Sequence, residues 1–260
     1  MKKNLILLLV LAGLAIVPVT ISFLCSGDDA DSPAPPAARQ AAPQAATRAD
    51  RKSAKSAVPL ANAAKVPAAE VPVFKGFEDA RYQQYDAQIR QFCEEFNKSR
   101  KVWAGATADQ AVGIPVLTPA QVKAHMIQET GGGDLKSRTA WKHDPLQVNV
   151  PGDWNPYKKY LGLSKPRRCN EGSGAKNLKA GLMLLSRKGF GVSGQPAENR
   201  PDGEFDGWPR ALQRYNGRSD KTATGVAYSE AYSARIRQRA EHPGEEVPIP
   251  IPTKRGKKKK

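Results

Sequence analysis

Residues 4–24 read NLILLLVLAGLAIVPVTISFL, a run of 21 residues without a charge, and no other feature restricts the chain's disposition as strongly. About 20 apolar residues reach across a bilayer as a helix. Lys2 and Lys3 precede the run, and Asp28, Asp29 and Asp31 follow it. Basic residues on the N-terminal flank hold that end in the cytoplasm and send the remainder out. The run exceeds the roughly 7–15 apolar residues of a cleaved signal peptide. Residues 1–25 are therefore expected to form an uncleaved anchor, with cleavage after Cys25, Ser26 and Gly27 as the alternative. An exported chain meets an oxidising compartment, which permits disulfides. Whether Cys93 and Cys169 pair does not follow from sequence.

Residues 26–72 are dominated by Ala, Pro, Ser and charge. Such a segment buries too little apolar surface to offset its ordering entropy, so it is read as a linker. About 45 flexible residues give a typical reach of roughly 35–40 Å. Residues 246–260 form a basic tail, whose last seven residues carry six positive charges of a chain with net charge +16. Outside the cytoplasm that tail does not point to nucleic acid. It either meets anionic envelope polymers and lipid head groups or stays solvated.

The foldable part, residues 73–245, is long enough for one domain with a real core. Its periodicity predicts a mainly α domain. Helices are expected over residues 77–101, 118–130, 155–161, 177–188, 207–215 and 228–240. The alternation in Leu146-Gln147-Val148-Asn149-Val150 predicts one short strand. The second helix is well marked. Thr118 with Gln121 makes a capping box, Pro119 suits the first turn, and Ala120, Ala124 and Ile127 can share a buried stripe. Gly131 ends it, as a residue free to turn left-handed.

Glu129 thus falls in the last helical turn, where the backbone dipole opposes a carboxylate by about 0.3–1 kcal/mol. Burial beside a cleft would raise its pKa further. A carboxyl that keeps its proton near neutral pH is what a general acid needs. The three histidines, His125, His143 and His242, are scattered, so no metal or other cofactor is expected. The glycines at 131–133 match no phosphate-binding loop.

Five blocks follow in order. They are Gln128-Glu129-Thr130; Pro145-Leu146-Gln147-Val148-Asn149; Asn177 to Leu185; Ala211-Leu212-Gln213-Arg214-Tyr215-Asn216-Gly217; and Tyr228 to Ile236. Together, over residues 117–239, they resemble the lysozyme-like domain of the soluble lytic transglycosylases. Departures are visible. Thr130 stands where that family has serine, three glycines follow it, and Asp144-Pro145 replaces a Gly-Leu.

The resemblance implies cleavage of the β-1,4 bond between N-acetylmuramic acid and N-acetylglucosamine in peptidoglycan, closing a 1,6-anhydro ring. Glu129 would be the single acid and then the base. Thr130, Gln147, Asn149, Tyr215 and Asn216 would bind substrate, with Tyr215 contacting the sugar or holding Glu129. Trp141 and Trp154 could stack on sugars or pack in the core. Expected partners are glycan strands and, through residues 1–25, the bacterial inner membrane, on its periplasmic side. Two alternatives are a hydrolytic muramidase, with Asp134 or Asp144 placing water, and a non-catalytic glycan-binding protein of a secretion or division machine.

Overall fold

A computed structural model describes residues 70–191 and 201–247. The anchor run, most of the linker and nearly all of the basic tail lie outside these residues. No helix among the described residues is long and apolar enough to cross a membrane.

The described part is mainly helical. In chain order the helices are α1 (Asp86–Lys98), α2 (Arg100–Ala104), α3 (Ala108–Val112), α4 (Pro119–Thr130), α5 (Leu135–His143), α6 (Tyr157–Tyr160), α7 (Gly174–Lys188), α8 (Trp208–Asn216) and α9 (Tyr228–Glu241). The expected helix over 77–101 is broken. A 3-10 turn at Ala80–Gln83 precedes α1, and Ser99 separates α1 from α2. Ser99 leaves helical geometry at φ −135° and ψ 43°. Residues 155–161 yield only α6, and Asn155 supplies its carbonyl rather than a side-chain cap.

α4 is the central element. Its start follows the capping signals: Thr118 accepts from Gln121 N, and the Gln121 side chain accepts from Thr118 N. The helix is not buried along one stripe, however. Val122, Ala124, Met126 and Ile127 are buried, and so are Lys123, His125 and Gln128. It packs against α1, α5 and α9. The buried Lys123 ammonium is tolerable because Asp86 lies 2.9 Å away and Gln83 also accepts from it. A buried charge needs such partners.

Around α4, the stripe Leu178, Leu182 and Leu185 of α7 and the residues Tyr232 and Ile236 of α9 join one core with Ile89 and Phe96 of α1. Trp141 belongs to that core, edge-on to Tyr82 at 4.9 Å. Its indole N–H donates to Arg81 O. Trp154 is half-buried against a smaller cluster around Val148, Leu161 and Leu163. Cys93 is a free, buried thiol, so no Cys93–Cys169 bridge exists here. Burial pushes that thiol up to about 12.

Residues 144–150 form a turn and loop, and there is no strand among the described residues, only two isolated bridges. Gln147 adopts φ 51°, the left-handed region, so the alternation in the sequence comes from a turn that sends Leu146, Val148 and Val150 inward.

Candidate active site

Glu129 sits in the last turn of α4, which stops at Gly131. The Gly131 N–H returns to Ile127 O at 2.9 Å. Gly131 is not left-handed, since its φ is −71°. The need for glycine is space: a Cβ there would lie 2.5 Å from Ile127 O and 2.8 Å from Phe77 Cε1. The helix end is closed tightly on its neighbours, and the Glu129 carboxyl meets α9 at Tyr232.

The Glu129 side chain is 18% exposed. Its Oε1 accepts a hydrogen bond from the Tyr232 hydroxyl. Burial pushes its pKa up to about 7; Tyr232's hydrogen bond pulls the other way, and the charge on Asp144 adds to the rise. The carboxyl therefore exchanges its proton near neutral pH. His125 Nε2 lies 3.8 Å from Glu129 Oε1, but burial lowers the imidazole to about 3. A neutral ring makes no ion pair, and neither ring nitrogen has a hydrogen-bond partner. The ring lies edge-on between Tyr215, at 4.7 Å, and Tyr232, at 6.0 Å.

Tyr215 was expected to meet the sugar or hold Glu129. Its hydroxyl instead donates to Leu146 O at 2.8 Å, and Tyr232 is the tyrosine that touches the carboxyl. The α9 block carried Tyr232 in the sequence, but which of two tyrosines reaches an acid depends on how α8 and α9 dock. Thr130, also expected at the substrate, is buried. Its hydroxyl lies 3.1 Å from Met126 O and 3.0 Å from Pro145 O, tying the helix end to the loop at 144–150.

That loop is organised by Asp144, which is fully buried. Its two oxygens accept from Val148 N at 3.0 Å and Asn149 N at 2.8 Å. Burial raises its pKa to about 6 against the effect of those bonds. Asp134 caps α5, accepting from Ser137 N at 3.0 Å and from the Ser137 hydroxyl at 2.7 Å. Both acids considered for placing a water are engaged in holding backbone.

Gln147 is half-buried, and its side-chain amide donates to Asp144 O at 3.0 Å and approaches Asn170 Oδ1 at 3.4 Å. Asn149 is buried, with no partner for Oδ1. Asn216, at the end of α8, accepts from Arg218 N at 3.3 Å. Leu146 is pressed against α7 at Gly181, where a Cβ would lie 2.7 Å from Leu146 Cδ1. The structure thus gathers Glu129, Tyr232, His125 and Tyr215 in one cluster and joins the 144–150 loop to it through Thr130 and Leu146.

Two cavities of about 260 Å³ each flank this region, and Glu129 lines neither. Among the described residues no group of three or more His, Cys, Asp or Glu is placed to hold a metal. No family model, no curated protein and no solved structure matches this chain.

Proposed function

We propose that the protein is a peptidoglycan lytic transglycosylase with a lysozyme-like domain, acting from the exported side of a membrane to which residues 1–25 tether it. The observation that carries the reading is Glu129: one carboxyl in an apolar setting, poised near pH 7 and held by Tyr232, while Asp134 and Asp144 are bound to backbone N–H groups. Glycosidases that activate water use two carboxyls. A single carboxyl suits a reaction in which the sugar supplies its own nucleophile.

In this mechanism protonated Glu129 gives its proton to the glycosidic oxygen as the bond from C1 to that oxygen breaks. The leaving sugar departs with a free hydroxyl. Glu129, now a carboxylate accepting from Tyr232, takes the proton of the same muramyl residue's C6 hydroxyl. The C6 oxygen then bonds to C1, which closes the 1,6-anhydro ring and restores the acid. A pKa near the working pH serves both steps. His125 stays neutral throughout, its protonation opposed by burial. Gln147 and Asn216, both half-buried, would supply polar contacts for acetamido and hydroxyl groups.

Glu129→Gln removes the transferable proton at constant size. Release of soluble fragments from purified cell-wall sacculi should fall by at least about 100-fold. A variant that keeps a tenth of the activity would refute the role of Glu129.

A further inference from the structure

Cys169 is disulfide-bonded in the structure. Cys93 is a free thiol buried in the core, and the chain has three cysteines in all. One partner for Cys169 remains in this chain: Cys25, which lies outside the described residues. Chemistry separates the cysteines in the same way. The thiolate is the form that attacks a disulfide, and burial holds the Cys93 thiol up at about 12. Cys169 is only partly buried, and the exposed side chains of Lys165, Arg167 and Arg168 precede it. Neighbouring cations favour a thiolate. The turn that carries Cys169 is pinned by Glu171, which accepts from Arg167 N at 2.9 Å and Arg168 Nε at 3.1 Å. Asn177 Nδ2 donates to the Glu171 carbonyl at 3.1 Å, fixing the same turn to α7.

The flanks of the two cysteines are complementary. Asp28, Asp29 and Asp31 follow Cys25, opposite in sign to the cations before Cys169. Opposite charges favour the approach of the two segments. An exported chain also meets the oxidising conditions in which such a bond persists.

We infer that Cys25 and Cys169 form one disulfide, which staples the loop before α7 to the outer end of the anchor run. The inference rests on the anchor reading of residues 1–25, and not on the glycan chemistry. Formation takes a disulfide donor of the exported compartment, of the thiol–disulfide oxidoreductase class. The Cys169 thiolate attacks the donor's disulfide and displaces one donor thiol. The Cys25 thiolate then attacks the mixed disulfide at the Cys169 sulfur and displaces the second. The donor leaves reduced to a dithiol, carrying the two protons that the cysteines lost. A disulfide holds its two Cα atoms about 4.4–6.8 Å apart, against the roughly 35–40 Å typical of a flexible linker of about 45 residues. The oxidised chain therefore keeps its domain at the membrane face, with the loop before α7 toward the bilayer. Reduction restores the longer reach.

The test is mass spectrometry of the full chain, taken from the membranes of exporting cells with free thiols alkylated and no reductant. Trypsin frees Cys25 within residues 4–39 and Cys169 within residues 169–176. One cross-linked species joining these two peptides is expected, lost on reduction, with Cys93 alkylated only after unfolding. In Cys25→Ser the cross-link should vanish and Cys169 should become alkylated. Alkylated Cys169 in the unreduced wild type, or Cys169 bonded to Cys93 or to a second copy, would overturn the proposal. Intact mass separates that result from failure of the anchor. A mature chain beginning after residue 25 overturns both, whereas an intact chain with Cys169 alkylated overturns the bond alone.

Discussion

Glu129→Gln should make the protein more stable at neutral pH while silencing it. The folded carboxyl has a pKa of about 7 against an ordinary 4.5. Below about pH 4.5 it is protonated in both the folded and unfolded states and adds no cost. From about pH 4.5 to 7 the unfolded chain ionises while the folded site still holds its proton, so stability falls as pH rises. Above about pH 7 the full cost is present: about 2.5 pKa shifts of one, each about 1.4 kcal/mol, or about 3 kcal/mol. Glutamine never ionises and keeps an oxygen for Tyr232, but it introduces an amide N–H₂ into a mostly buried place, which costs about 1 kcal/mol or more. The net gain expected at pH 8 is about 1–3 kcal/mol, shrinking toward zero or below at pH 4. Urea unfolding of the domain at the two pH values measures it. A gap independent of pH, or a variant less stable than wild type at pH 8, would show that Glu129 is not held in a setting that resists its ionisation.

Three further substitutions probe the surroundings. Tyr232→Phe deletes the bond that favours the carboxylate, so the alkaline limb of the rate profile should move up by about 1–2 pH units while kcat falls; an unmoved or acid-shifted limb would contradict the contact. Gly131→Ala forces a Cβ to within 2.5 Å of Ile127 O, and thermal unfolding should register a loss of about 1–3 kcal/mol, whereas a wild-type melting temperature would show that the helix end yields freely. Asp144→Asn leaves one of the Val148 and Asn149 N–H groups without its acceptor, costing about 1–3 kcal/mol before relief of the carboxylate's own burial. It should leave the chemical identity of the products unchanged, so loss of cleavage with fold and glycan binding intact would make Asp144 a reacting group.

Local signals were legible where the chemistry itself is local. The Thr118–Gln121 box is written within four residues, and α8 and α9 lie within one residue of the expected 207–215 and 228–240, whereas α7 starts at Gly174, three residues before the expected 177. α5 was missed because Leu135-Lys136-Ser137-Arg138 shows little apolar periodicity. What starts it is Asp134, a cap whose side chain reads equally as part of a loop. The apparent strand at 146–150 was an alternation produced by one left-handed residue, Gln147, a conformation that sequence rarely announces. At the site, placing Glu129 in a last turn needed only Gly131. Its partner could not be chosen from sequence, because Tyr215 and Tyr232 lie on different helices and the choice is made by packing against α4. The buried faces of Lys123 and His125 were hidden for the same reason: each is tolerated only through a tertiary arrangement, an ion pair for one and loss of charge for the other.

Mass spectrometry of the fragments released from sacculi tests the central claim most directly. A single carboxyl that serves as acid and then as base on the sugar's own C6 hydroxyl predicts muropeptides ending in 1,6-anhydromuramic acid, about 18 Da lighter than their hydrolysed counterparts through the water not taken up. Fragments carrying only reducing ends, or no fragments from a folded domain that still binds glycan, would contradict it.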